Sequence, residues 1–417
     1  MQRIVCCLVT LISILVGASG TRAADDFFFK PNDRVLFLGD SITEQYQYSS
    51  DIELYLTTRF PEWNLTFINA GISGDRAQGG KNRFKDHVLA EKPTAITINF
   101  GMNDAGYGAF NADLQKQFVE GTEAMLTMAK AANVRVGLCS PNAVDRRVQE
   151  RFKLYLETQK EFYAPLKDLA AKHGAAFADQ YATTRASLEK MEADGAKTVI
   201  PFGDGFHTSS NGGLFMAHAI LTGLKAPSQV SHVAIDANSF GAGSGSKVID
   251  CTISNESKSA GGVAFDRLDK ALPLPIQNDW VSLLPYVNNL NDLNRYELLV
   301  AGLPAGKYEI KIDGVEVASY SAEELAAGVN LGNVTKGPIY DQAQKVFQAI
   351  NAKNQIVHQR FRGVVMANVP DWLADVAAER KPKELAKRTE LINAKQAEIY
   401  QMVKPIKHRF EIVKAAN

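Results

Sequence analysis

Cysteine is scarce in this 417-residue chain. There are four: Cys6, Cys7, Cys139 and Cys251. No CxxC pair and no Cys/His cluster occurs, which argues against a structural zinc site. Neither sign of charge dominates, with 46 Lys and Arg against 46 Asp and Glu. A basic nucleic-acid-binding surface is therefore not expected, nor a preference for a strongly charged ligand. Long apolar runs are missing beyond the first residues. Even the N-terminal run, Ile4 to about Val16, is shorter than the roughly 20 residues of a membrane-spanning helix. Internal repeats are absent as well.

What the N-terminus does have is one early basic residue, that apolar run, and then small residues. This is the layout of a secretory signal peptide, with Thr21 and Ala23 at the small-residue positions and cleavage after Ala23. The alternative, a membrane anchor, is opposed by the length of the run. Residues 1–23 are thus expected to be a leader, and the protein to be exported to the periplasm or outside the cell. No later segment could span a bilayer, so no integral membrane segment is expected after its removal. Cys6 and Cys7 would leave with the leader. Cys139 and Cys251 would remain, either paired in an oxidising compartment or as two separate buried thiols.

Length suggests about two domains. From Asp33 to Leu224, short apolar runs ("RVLFLG", "LTFINAG", "AITINFG", "RVGLCSP", "AAFADQY") alternate with stretches of helical spacing. Leu114, Phe118, Met125 and Ala129 share one helical face. Phe152, Tyr155, Phe162, Leu166 and Leu169 form a second stripe, interrupted at Pro165 and stopped by Gly174. Alternating strands and helices predict an α/β domain over residues 30–228, with a parallel sheet covered on both faces. Beyond it the style changes. Residues 229–335 read as a β-rich accessory region. "RYELLVAGLPAGKYEIKIDGVEVASY" gives an antiparallel signal there, with Asp313-Gly314 as a hairpin turn. Residues 336–417 read as helical, with Leu385, Ile392 and Ile399 as a narrow packing seam. Nothing in this C-terminal part reads as chemistry, so it is expected to be an accessory module or a wall of the cleft.

In a parallel sheet the residues after each strand converge on one edge, where ligands bind. Those residues are Gly39-Asp40-Ser41, then "NAGISGD" with Gly71, Gly74 and Asp75, then "GMND" with Asn103 and Asp104, and later "DGFH", Asp204 to His207. Each block alone is weak. Together they supply a hydroxyl, a base and an acid to orient the base. Asp204 can fold back in one turn to hold His207 Nδ1, leaving Nε2 for Ser41. Acyl transfer also needs oxyanion donors. Ser41 opens a helix, so its N–H is free; Gly74 or Gly71 can bring a second N–H, and Asn103 an amide. Asp40, Asp75 and Asp104 are expected to support turns, and His173 and His218 to be structural. "GISGDRAQGG" looks like a phosphate-binding loop but lacks the Gly-Lys-Ser/Thr ending.

These blocks resemble those of the SGNH hydrolases, also called the GDSL esterase/lipase family. The resemblance covers about Arg34 to Leu224. It implies a flavodoxin-like three-layer α/β/α fold, with Ser41 as nucleophile, His207 as base and Asp204 as third triad member. Ser41, Gly74 and Asn103 would form the oxyanion hole. Ile42 stands where the family often has leucine, and Thr208 where proline often follows the histidine. No cofactor or metal is implied. The expected partner is a small-molecule or polysaccharide ester, with no nucleic acid. Carbohydrate O-acetyl esters are the expected substrates. Alternatives are lysophospholipid or thioester hydrolysis, sugar O-acyl transfer, or a non-catalytic carbohydrate-binding surface protein.

Overall fold

The computed structural model describes residues 26–241 and 246–415. The expected leader, residues 1–23, lies outside them. The five apolar runs form five strands: β1 (Arg34–Gly39), β2 (Thr66–Gly71), β3 (Ala95–Asn99), β4 (Arg135–Cys139) and β5 (Ala176–Ala178). They make one parallel sheet in the order β2-β1-β3-β4-β5. β3 is buried along its whole length, and β1 and β2 are buried after their first residue, as a sheet covered on both faces requires. The chain starts in β1, moves outward to β2, then returns to β3. With right-handed crossovers, this reversal puts the helix Gln47–Arg59 on one face and the β2–β3 and β3–β4 crossover helices on the other. The helix Ser210–Gly223 packs against Gln47–Arg59. The aromatic stripe is buried as expected, and Pro165 divides it into helices Phe152–Tyr163 and Leu166–His173. This is the three-layer α/β/α fold of the SGNH hydrolases.

The C-terminal part adds two further sheets. β6 (Gln229–Asp236), β7 (Ser246–Ile249), β10 (Arg295–Ala301) and β13 (Val329–Asn330) form one, in the order β13-β10-β6-β7. β8 (Cys251–Ser259), β9 (Gly262–Asp269), β11 (Lys307–Ile312), β12 (Val315–Ser321) and β14 (His408–Lys414) form the other, antiparallel in the order β12-β11-β14-β9-β8. The hairpin at Asp313-Gly314 is present, with both turn residues at positive φ. Two details differ from the sequence reading. β10 does not pair with β11; it runs parallel to β6. The segment expected to be helical, 336–417, also contains β14, the central strand of its sheet. Phe410 and Ile412 alternate inward there. The period is that of a strand, but its partners lie far away in the chain.

The helices Pro338–Arg360 and Ala374–Met402 pack on each other, and the first also lies on Gln47–Arg59 and β2. The C-terminal helices are therefore layered directly onto the parallel-sheet domain. The contact is buried and polar. Lys353 pairs with Glu53, Asn354 Nδ2 donates to Ser50 Oγ and Glu53 Oε2, and the Leu65 N–H donates to Tyr400 Oη. Such groups are costly to bury unless each finds its partner, so they specify one docking register. Cys139 and Cys251 are both buried and unpaired. Among the described residues no helix is long and apolar enough to cross a membrane.

Candidate active site

The end of β1 sets the position of Ser41. Asp40 is extended and caps the short helix Ser41–Glu44, its Oδ1 accepting the Ile42 N–H at 3.0 Å. Ser41 is thus the first helical residue. Among the described residues no acceptor pairs with its N–H. β2 ends beside it, where the Ile72 N–H donates to the Gly39 carbonyl at 3.1 Å. The following turn brings Gly74, whose φ of 74° is a left-handed conformation that favours glycine. The Gly71 N–H is engaged by Asn69 Oδ1 at 2.9 Å, whereas the Gly74 N–H has no acceptor among the described residues. After β3, Asn103 Nδ2 donates to the Asp75 carbonyl at 3.0 Å, and Tyr107 Oη donates to Asn103 Oδ1 at 3.0 Å. One amide hydrogen of Asn103 remains for a ligand.

The histidine arrives on a turn closed by a bridge between Phe202 and Thr208. Gly205, at φ 101°, lies against Phe152; a Cβ there would stand 2.4 Å from its ring. His207 Nε2 lies 2.7 Å from Ser41 Oγ, and Nδ1 donates to Asp204 Oδ2 at 2.7 Å. Asp204 Oδ1 accepts the N–H groups of His207 and Phe206 at 2.8 and 3.1 Å. Burial pushes the Asp204 carboxyl up, but the His207 ring, those two N–H groups and the imidazole charge hold it below its ordinary range. Thr208, in the place where proline is common, donates to Gln45 Oε1 at 3.0 Å and ties the histidine turn to the nucleophile helix. The structure thus brings Ser41, His207 and Asp204 into one hydrogen-bonded line. It places Gly74 and Asn103 on the two neighbouring strand ends. The arrangement can activate a hydroxyl for attack on an ester carbonyl.

Tyr107, Gln149 and Glu44 were not singled out by the sequence reading. Gln149 Nε2 donates to the Asp204 carbonyl at 2.7 Å. Glu44 Oε2 accepts from the Ser73 N–H at 2.6 Å. Tyr107 follows Asn103 in a Gly-rich turn, a weak local signal; the other two had none. His173 and His218 lie away from this line, pairing with Glu123 and Asp292.

Beneath the serine sit three acids. Asp75 is paired with Arg83 Nε at 2.8 Å. Burial, opposed by the Ile42 N–H and reinforced by Asp104 and Asp75, raises the Asp40 carboxyl to about 7. Burial, opposed by the Ala77 N–H, raises Asp104 to about 6, and its Oδ2 has no protein partner. The sign of the consequence follows from linkage. Between the unfolded carboxyl value, about 4, and about 6, the native state holds a proton that the unfolded chain has released. Stability from Asp104 is therefore full below about pH 4 and lost as pH rises through 6, by up to about 3 kcal/mol. Asp104→Asn keeps an acceptor for the Ala77 N–H but cannot ionise. Its melting temperature is expected to gain on the native protein as pH rises from 4 to 7. A difference constant across that range would contradict the assignment.

The fold and the Ser–His–Asp line define a serine hydrolase acting on carboxylic esters. Residues 37–212 match the model of the GDSL-like Lipase/Acylhydrolase family. An acetylxylan esterase of Geobacillus stearothermophilus is 24% identical over 214 residues, 45% of this chain and 92% of that protein. The thioesterase 1/protease 1/lysophospholipase L1 of Escherichia coli K12 is 31% identical over 141 residues, 32% of this chain and 65% of that protein. A solved structure described as a gut microbial diltiazem-metabolizing enzyme superimposes with a TM-score of 0.79 at 25% identity. That likeness covers 93% of this chain and 98% of the other, so it includes the C-terminal sheets and helices.

Proposed function

We propose that the protein is an exported esterase that removes short acyl groups, acetyl above all, from carbohydrate hydroxyls. The carrying observation is the 2.7 Å contact between Ser41 and His207, with Asp204 behind it. His207 Nε2 takes the Ser41 proton as Oγ adds to the ester carbonyl. The Ser41 and Gly74 N–H groups and the Asn103 amide hold the oxyanion. Collapse releases the alcohol with the proton from His207 and leaves an acyl-serine. Water, deprotonated by His207, then releases the carboxylic acid and restores Ser41.

The acyl preference rests on the surroundings of the histidine. Phe206 packs against both Tyr107 and Phe152, with ring centroids 5.0 Å and 6.0 Å away. Phe152 is buried, and Tyr107 and Phe206 are half-buried by these contacts, which leaves a small apolar patch beside His207 rather than a long groove for a fatty chain. His207 and Asp204 are 30% and 45% exposed, open enough for an ester carried on a bulky polymer. The name of the Geobacillus relative, acetylxylan esterase, agrees with this reading. Export is supported by the leader-like layout of residues 1–23.

A series of aryl esters from acetate to palmitate, run beside acetylated xylo-oligosaccharides, tests the proposal. Turnover is expected to fall steeply beyond butyrate, with acetate released from the oligosaccharide when no acceptor sugar is present. Faster cleavage of octanoate or longer esters would favour the lysophospholipase or thioesterase reading. Acetate release only with an acceptor would indicate transfer.

A further inference from the structure

We infer that the C-terminal helices are part of the catalytic apparatus, because Arg362 clamps Glu44 and Glu44 in turn holds Ser73, the residue before the oxyanion donor Gly74. Arg362 and Glu44 are positioning residues in this scheme. The inference rests on the esterase reading of the site.

Gly74 cannot hold itself in place. It is exposed, and a Cβ built on it would meet nothing within 4 Å. Its N–H can be aimed only if the residues on both sides are fixed. The far side is Asp75. Its N–H donates to the Ile72 carbonyl at 3.1 Å, its carbonyl accepts from Asn103, and its carboxylate is held by Arg83. The near side is Ser73, whose N–H and Oγ–H both donate to Glu44 Oε2, at 2.6 and 2.5 Å. Glu44 closes the same short helix that Ser41 opens. One carboxylate therefore links the nucleophile's helix to the donor's loop.

That carboxylate needs a fixed orientation to be of use. Its other oxygen, Oε1, is in an ion pair with Arg362, Nε standing 2.7 Å away, and lies 3.6 Å from His358 Nε2. An ion pair this close restrains the carboxylate by charge. The Glu44 side chain is only 15% exposed, so water competes poorly for it. Arg362 is itself placed from a distance. It lies in the helical turn Phe361–Val365 that continues Pro338–Arg360, the helix anchored by the buried Lys353–Glu53 pair and by Arg360 on Glu91 at 2.8 Å. The path from the C-terminal helix to the oxyanion loop is continuous: Arg362, Glu44, Ser73, Gly74.

Arg362 is more than a third exposed and is not a packing residue, so its loss should change rate rather than stability. In the full-length chain, Arg362→Ala is expected to lower kcat for an aryl acetate about 10- to 100-fold, a fraction of what deleting an oxyanion donor costs. KM should stay within about twofold and the melting temperature within about 2 °C. The rate of Ser41 phosphonylation by an organophosphonate, whose P=O oxygen needs the same donors, should fall in parallel. Arg362→Lys should recover part of the rate. Glu44→Gln should lose as much as Arg362→Ala, and the double variant should lose little more than either alone. Unchanged kcat and phosphonylation in Arg362→Ala, with an active parent, would overturn the inference. So would strictly additive losses in the double variant. A parent protein with neither ester turnover nor phosphonylation would instead overturn the underlying reading of the site.

Discussion

Ser41→Ala is expected to lower kcat for aryl acetates by about 10⁶ while leaving the fold intact. The size follows from the role: with no hydroxyl there is no acyl-serine, and only the rate supplied by binding and the oxyanion donors remains. The fold should be indifferent for local reasons. The one side-chain partner of Ser41 Oγ among the described residues is His207. The helix is capped by Asp40, not by Ser41, and Ile42 and Thr43 supply its buried contacts. Alanine is also a better helix former than serine. The check is twofold: loss of turnover with an unchanged melting temperature, and loss of labelling by an organophosphonate that reacts with the parent. Turnover within tenfold of the parent in a folded Ser41→Ala protein would remove the mechanism. A parent that the phosphonate fails to label would revive the reading as a non-catalytic carbohydrate-binding protein.

The parallel sheet and its strand-end residues were legible because each depends on local information. Five apolar runs of strand length, separated by helical spacing, allow few arrangements, and a residue that follows a strand must lie at the sheet edge. Asp204 was readable as the partner of His207 for the same reason, since three residues can close in one turn. Illegible features are those in which distant segments meet through ordinary residue types. β14 looks like any amphipathic stretch until β9 and β11 are seen on either side of it. β10 alternates as a hairpin strand would, yet its neighbour is β6, reached across the whole of β7 to β9. Arg362 is one of many surface-type arginines in a helix, and nothing near it in the chain points to Glu44. The acids beneath Ser41 fall between these cases. Asp40 as a helix cap was readable, but its mutual repulsion with Asp104 required the β1 and β3 ends to be side by side.

Asp204→Asn is the second large effect, a loss of about 10³- to 10⁴-fold in kcat, and its cause is the direction of one hydrogen bond. From sequence, this change would be mild if a backbone carbonyl also oriented His207. Among the described residues Nδ1 has one partner, Asp204 Oδ2. Oδ1 is meanwhile occupied by two donors, the N–H groups of Phe206 and His207. In the asparagine variant the amide oxygen must take the Oδ1 position, because an NH₂ group there would face two N–H donors. The NH₂ is then left pointing at Nδ1. A donor facing Nδ1 stabilises the tautomer with its proton on Nε2, the nitrogen 2.7 Å from Ser41 Oγ. The base is then blocked in place, with its geometry preserved, and the imidazolium loses its counter-charge. Because the two backbone bonds survive, the turn and the melting temperature should barely change. Fast hydrolysis by Asp204→Asn, within tenfold of the parent, would mean that another group selects the tautomer. Asp204→Ala separates the two effects. It removes the misdirected donor and opens Nδ1 to water, so it should be no slower than Asp204→Asn even though it also gives up the two bonds that shape the turn.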